Sequence, residues 1–273
     1  MSVITISRQI GSLGTEIAQG MANRLGYEYV DKERIGKALA DYGLPEPDME
    51  RFDERKPPFW DSWQIQRRKF LHFLEAVIFD FAGKGNVVIV GRGGQILLKD
   101  LPGVLHLRII APWEMRLRRV IQEGPGDERQ AERVLRRSDR DSAGFIQSFF
   151  DVDWNAPDLY DLVINTQKMT QDTAVKMILQ FVDSAEMIEG EKKAEEKLAH
   201  LALIQKVEAA LLGILGIDIR HINIHNEGGV ITLRGAVGSN KDKENCQRTV
   251  AGIAGVNRVD NQLLVTEYYR FGT

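Results

Sequence analysis

The sequence predicts a three-layer α/β domain built on a parallel sheet, followed by a small α+β domain of order α-β-β-α-β. Three observations predict it. Short apolar runs alternate with amphipathic helix-like segments through residues 1–185, the grammar of a sheet covered on both faces. The clearest run, residues 86–91 (NVVIVG), sets β-branched side chains in a row after a Gly-Lys-Gly turn. Beyond residue 200 the pattern changes to alternating strands at 222–224 and 231–237, joined by an Asn226-Glu227-Gly228-Gly229 turn.

Length and composition agree. A chain of 273 residues is long enough for one large domain or two unequal ones. Its net charge of −3 gives no whole-chain support for gripping nucleic acid. Cys246 is the single cysteine, so no intrachain disulfide forms and a reducing compartment fits. No run approaches the ~18 to 20 apolar residues of a membrane span. The expectation is a cytoplasmic protein with no transmembrane segment and no nucleic-acid partner.

The chain opens on its organising stretch, residues 3–25. Val3, Ile4 and Ile6 suit a buried strand, Gly11 and Gly14 mark a loop, and Ile17, Ala18, Met21, Ala22 and Leu25 recur at helical spacing up to Gly26. The first turn of such a helix leaves N–H groups without partners at an electropositive end, so an anion fits there. The loop is not a regular Walker sequence. After Gly11-Ser12-Leu13-Gly14 come Thr15 and Glu16, and no lysine is present to reach a terminal phosphate. On the glycines alone, an ordinary tight βα turn is the favoured reading.

Residues 27–31 form a short strand that brings Asp31 to its C-terminal end, where open α/β sheets bind ligands; an N-cap for the next helix is an equal reading. Pro45, Pro47, Pro57 and Pro58 amid dense charge read as a mobile connection over 43–61. A long amphipathic helix follows over 60–82, with Trp60 and Trp63 at its start either packing or stacking on a base. The 86–91 strand delivers Gly91-Arg92-Gly93-Gly94 to the ligand end of the sheet, and an arginine in adaptable backbone suits bidentate recognition of a phosphate.

Strand 104–110 leads through Ala111-Pro112 into a helix carrying Arg116, Arg118 and Arg119. After Gly124-Pro125-Gly126 a helix opens at Asp127, with Gln130 placed as in a capping box. Arg133, Arg136, Arg137 and Arg140 line one face of it. Such a face is commonly a solvated surface, here with Glu132, Asp139 and Asp141 as partners; the density of arginine favours a phosphate-binding lid. A strand at 160–166 and a helix at 170–187 close the first domain. Residues 186–200 (EMIEGEKKAEEKLAH) read as a solvated linker helix. Then come a helix at 201–211, the two alternating strands, a helix through Cys246, Val250 and Ile253, and a strand with Val259, Leu263 and Val265.

In this order the pieces resemble a known arrangement. Ser7-Arg8-Gln9 with Gly11-Ser12 and Glu16-Ile17-Ala18, then Asp31, Gly91-Arg92-Gly93, Ala111-Pro112 leading to Arg116, the arginine stretch with Asp139, Tyr160-Asp161 and Asn165-Thr166 are similar to the cytidylate-kinase-like family of P-loop nucleoside monophosphate kinases. Residues 201–267 resemble a BON domain, through Val207 and Leu211, GVITLRGAV from Gly229, and GVNRVDNQLLV from Gly255. The domains expected are therefore 1–185, a linker at 186–200 and 201–267, with a P-loop kinase-like first fold.

The resemblance implies transfer of the γ-phosphoryl of ATP, with Mg²⁺, to a nucleoside monophosphate, CMP or dCMP. It further implies an interaction module at the C-terminus for a protein or small ligand. By resemblance, Gly11, Ser12, Leu13, Gly14, Thr15 and Glu16 cradle the donor phosphates, with Ser12 or Thr15 as the hydroxyl on the metal. Arg8 stands in part for the missing lysine, as a catalytic cation with Arg137 and Arg140. Asp31, Arg92, Gly93, Arg133, Arg136, Asp139 and Asp161 fall on the acceptor side. Departures are visible too: Leu13 replaces a customary glycine, Thr15 a frequent arginine, Gly93 an aspartate, Ser142 a lid arginine, and Gly14 falls at the lysine position.

Overall fold

The computed structural model describes residues 2–42, 44, 62–124, 127–213, 215–217 and 219–266. The prolines expected in a mobile connection, Trp60, the side chain of Trp63, and Pro125 with Gly126 lie outside the described residues or side chains. Strands β1 (Val3–Arg8), β2 (Glu28–Val30), β3 (Val87–Val90), β4 (Val104–Ile110) and β5 (Leu162–Asn165) form a five-stranded sheet in the order β2-β3-β1-β4-β5. Each pairing is parallel. Around it run α1 (Gly14–Leu25), α2 (Lys32–Asp41), α3 (Ser62–Lys84), α4 (Gly94–Leu97), α5 (Trp113–Glu123), α6 (Glu128–Phe150), α7 (Gln171–Val182) and α8 (Ala185–Gly213).

Alternation along β1 divides the core. Ile4 and Ile6 pack with Ile17, Ala18 and Met21 of α1 and with Ala174, Val175 and Ile178 of α7. Val3 faces the other layer, with Ile35, Phe70, Phe73, Leu74 and Ile78 of α2 and α3 and Phe145 and Phe149 of α6. This is the expected three-layer α/β fold. The ligand end of the sheet follows from it, because all five strands finish on the same edge.

The second sheet holds β6 (Ile222–Glu227), antiparallel to β7 (Val230–Val237), which is parallel to β8 (Arg258–Val265). A two-glycine turn, Gly228 at φ 57° and Gly229 at φ 83°, reverses the chain between β6 and β7. The crossover between β7 and β8 is α9 (Asn240–Ala251), whose Cys246 and Val250 are buried with Ile231, Leu233 and Leu263.

Two expectations are corrected here. The helix expected over 170–187 ends at Val182. Residues 186–200 are helical, but they belong to α8, which runs from Ala185 to Gly213 and is not solvated on all sides. Ala194, Leu198, Ala202 and Ala209 are buried in the core that contains α3, with Leu198 only 1% exposed. The same helix places Val207 and Leu211 in the C-terminal core.

Glycines fix both ends of α8. A Cβ on Gly190 would lie 2.6 Å from Gly103 N, and one on Gly213 would lie 2.8 Å from the Phe73 ring. Charges tie the middle. Asp80 of α3 pairs with Lys206 and, at 2.8 Å, with Lys84. His72 Nδ1 stands 3.6 Å from a carboxylate oxygen of both Glu75 and Glu208. The Glu208 carboxylate foremost, helped by Glu75, raises the His72 pKa against the opposing effect of burial.

Candidate phosphate-binding site

At the end of β1 the chain turns through Gln9, Ile10, Gly11, Ser12 and Leu13 into α1. Two residues take left-handed backbone, Gly11 at φ 73° and Leu13 at φ 64°. Glycine adopts this freely and leucine at a cost, so the departure at Leu13 stores strain in the loop.

Four successive carbonyls of this loop are held, the first from within the loop and the next three by residues outside it. Ser12 Oγ donates to Gln9 O at 2.7 Å. Arg116 Nη1 reaches Ile10 O at 3.4 Å, and Arg119 Nη1 donates to Gly11 O at 2.9 Å. Thr166 Oγ1, itself approached by Arg119 at 3.1 Å, donates to Ser12 O at 2.8 Å. Across a trans peptide the N–H points opposite to the C=O, so the grips on Ile10 O and Ser12 O also fix the Gly11 and Leu13 amides that follow them. The amides of Gly14, Thr15 and Glu16 precede Ile17, whose N–H makes the first bond of the helix, to Leu13 O at 2.9 Å. The result is a nest of donors at a helix start, suited to an anion.

Arg8 crowds position 14. A Cβ built on Gly14 would lie 2.3 Å from Arg8 Cβ and 2.8 Å from Arg8 Cγ, so no side chain fits at position 14 while Arg8 stands there. The Arg8 guanidinium reaches toward Gly91, whose Cβ position is 3.4 Å from Arg8 Nη1. Gly91, Arg92 and Gly93 all have positive φ, at 77°, 55° and 73°. Gly93 is required by packing as well, because a Cβ there would lie 2.4 Å from the Phe150 ring. The Arg92 guanidinium stacks over Phe145 at 5.4 Å. Ser7, Arg8, Arg92, Gln95, Ser142 and Trp154 line the narrow cleft between these elements.

The remaining expected residues fall in distinct places. Asp31 caps α2, its Oδ1 accepting from Arg34 N at 3.0 Å, and it stays at the ligand end of β2. Asp139 binds Arg116 bidentately, at 2.9 and 2.6 Å, and so orients an arginine that supports the loop. Arg136 stacks on Trp113 at 4.8 Å. Arg137 and Arg140 lie 3.4 and 3.7 Å from Asp141 and are largely exposed, as is Arg133. Asp161 is not brought to the loop: it precedes β5, and its Oδ2 accepts from His106 N part-way along β4 at 2.7 Å. The capping at Asp127 is simpler than a capping box, with the side chain accepting from Arg129 N.

Ser12 is fully buried with its hydroxyl donated inward. That argues against the metal role expected for it and leaves Thr15, exposed in the first turn of α1, as the hydroxyl at the loop mouth. Among the described residues no group of three or more His, Cys, Asp or Glu could hold a metal ion. The donor set suits a magnesium ion held mainly by phosphate oxygens and water.

Tyr29 was not foreseen. Its phenol pKa is raised by burial first and by Asp31 next, while Arg8 and a hydrogen bond to Gln19 pull it down. It therefore lies where the loop helix, Arg8 and Asp31 meet. The grip of Arg119 and Thr166 on the loop joins residues too far apart in the chain for spacing to reveal.

Residues 3–168 match the cytidylate kinase-like family. The chain belongs to that family. Residues 201–267 match the BON domain. Cytidylate kinase from Pyrococcus horikoshii is 26% identical over 198 residues, covering 71% of this chain and 96% of the relative. Cytidylate kinase from Methanopyrus kandleri is 25% identical over 190 residues, covering 66% and 93%. Among solved structures, an uncharacterized protein from Eubacterium ventriosum superposes with a TM-score of 0.54 at 22% identity, over 67% of this chain and 99% of that one, which shows the shared fold. Family and fold together support a nucleotide kinase. No helix among the described residues is long and apolar enough to cross a membrane.

Proposed function

We propose that the first domain binds ATP on residues 11–16 and transfers its γ-phosphoryl group to a nucleoside monophosphate, CMP or dCMP, with the BON domain as an interaction or regulatory module. The observation that carries this reading is the grip on the carbonyls of residues 9–12, which fixes the loop in place at the start of a helix, where an anion is favoured. Phosphoryl transfer asks the protein for positioning and charge neutralisation rather than covalent chemistry. Magnesium-bound ATP supplies the activated phosphoryl group when bound. The loop amides hold the donor phosphates, and Arg8 provides the positive charge a loop lysine would otherwise bring. Arg92 holds the acceptor phosphate, Asp31 and Tyr29 border the acceptor, and Arg133, Arg136, Arg137 and Arg140 close over the pair.

The test is ADP formation by the full chain with Mg·ATP and, separately, CMP, dCMP, UMP, AMP and GMP. Selective turnover with a cytidine monophosphate is expected. In Arg92→Ala the acceptor KM should rise about tenfold or more, the loss of one charged contact, with ATP affinity little changed. Equal losses for both ligands would refute the Arg92 assignment.

The buried Ser12 hydroxyl and the strained Leu13 favour a second reading, in which nucleotide is held without turnover and sensed through the C-terminal domain. Tight ATP binding with no ADP formation from the five acceptors would decide for it, or for a different small acceptor if one competes for the site.

A further inference from the structure

Two arginines of the first domain are equally buried, at 3% exposure, and differ in one respect. Arg116 has the Asp139 carboxylate. Arg108, in β4, has no carboxylate within ion-pair distance among the described residues. Its Nη1 donates to Ser7 Oγ at 3.1 Å and Tyr160 Oη at 3.2 Å, and its Nη2 to Asn155 Oδ1 at 2.8 Å. The guanidinium stacks on Trp154 at 3.9 Å and on Tyr160 at 5.4 Å. Every one of these partners is neutral. The nearby acid, Asp153, turns its carboxylate to Asn155 N and Nδ2.

Buried charges in proteins are as a rule paired, because an isolated one forfeits its hydration. Arg108 also lines a cavity, about 380 Å³ in free volume, with Gln9, Ala111, Pro112, Asn155 and Asn165 among its walls. That volume suits a small metabolite. Arg108 is the one charged side chain on its wall among the described residues, and the walls carry the amide groups of Gln9, Asn155 and Asn165. Gln9 Oε1 accepts from Ala111 N at 3.4 Å, which leaves its NH₂ as a donor. A lone positive charge beside the Gln9 amide, on a wall free of acids, is complementary to an anion.

We infer that this cavity is a second anion-binding subsite, beside the phosphate loop, in which the carboxylate or phosphate of a small organic ligand serves as counter-ion to Arg108. The inference does not depend on which acceptor the loop serves. It concerns the opposite edge of the β1–β4 pair from Arg92, since β3 and β5 flank β1 and β4 on different sides.

The experiment is thermal unfolding of the full chain titrated with malonate in one arm and pyrophosphate in the other. It compares wild type with Arg92→Ala, Arg108→Gln and Asn155→Asp. Wild type and Arg92→Ala should share a saturable rise with malonate, of roughly 5 °C or more at saturating anion, so loss of the acceptor assignment would not remove it. Pyrophosphate adds whatever the loop of residues 11–16 holds, so its arm is read as the difference between wild type and variant. Arg108→Gln, lacking the charge, should lose the malonate response and part of the pyrophosphate response. Asn155→Asp places a carboxylate on the atom that already meets Arg108 at 2.8 Å, and should remove the same share, which keeps the test decisive if Arg108→Gln fails to fold. A loss confined to one arm names the group recognised. No response in wild type to either anion, or responses in Asn155→Asp equal to wild type in both arms, would overturn the inference.

Discussion

Restoring a lysine to the phosphate loop should damage this protein. By the resemblance Gly14 falls at the lysine position of a Walker loop, and a Cβ there would lie 2.3 Å from Arg8 Cβ and 2.8 Å from Arg8 Cγ. The backbone fixes Cβ, so the closer overlap cannot be relieved by swinging the end of a flexible chain. Overpacking of this kind costs about 1–3 kcal/mol, or roughly 2–10 °C in Tm for a domain of this size. Gly14→Lys should therefore lower Tm by that amount and bind ATP less well than wild type, despite the added charge. Removing the obstacle in Arg8→Gly/Gly14→Lys should recover at least 1 kcal/mol, about the coupling that contacting residues show. The assay is a double-mutant cycle read by denaturant unfolding and by ATP binding. Additive effects, or a single Gly14→Lys variant as stable and as tight as wild type, would refute the view that Arg8 occupies the lysine's place.

Asp139→Asn should cost about 3–5 kcal/mol in unfolding free energy, because it leaves the buried Arg116 without its counter-charge; it should weaken ATP binding too, since Arg116 reaches Ile10 O. The raised His72 pKa implies stability that is full below the unfolded imidazole value near ~6.5 and is lost as pH rises through the higher folded value. Glu75, raised mainly by burial, adds a loss of the same sign as it ionises. A plot of Tm against pH should therefore fall more steeply above pH ~6.5 in wild type than in Glu208→Gln, and parallel curves would count against the cluster. A fragment ending at residue 189 should be less stable than one ending at 213 by a few kcal/mol, since it loses the buried Leu198 and its alanine neighbours; equal denaturation midpoints would contradict this.

Most of the first fold was legible because its signals are local. The apolar runs at 3–6 and 87–90 became β1 and β3, Gly26 became the left-handed cap of α1, and the two-glycine turn became the β6–β7 reversal. Asp31, read equally as cap and as site carboxylate, caps α2 while remaining at the strand end. What stayed hidden is contact between distant residues. Thr166 on Ser12, Arg119 on Gly11 and the neutral shell of Arg108 each join segments widely separated in sequence. Periodicity carries no information about these. The buried face of α8 was in principle readable: Met187, Ala194, Leu198, Ala202 and Ala209 recur at helical spacing. The surrounding Glu and Lys residues give the segment the composition of a solvated helix, and alanine contributes little to an apolar count.

The placement of α8 in two cores at once bears on cooperativity. A helix that supplies Leu198 and Ala202 to one core and Val207 and Leu211 to the other cannot melt out of either alone. Glycine contacts at Gly190 and Gly213 hold it seated at both ends. The two folded units therefore share a free-energy term that neither can lose separately. In calorimetry that term would merge them into one endotherm rather than two. A ligand bound in the first domain would raise the temperature at which the second unfolds, with no contact to it.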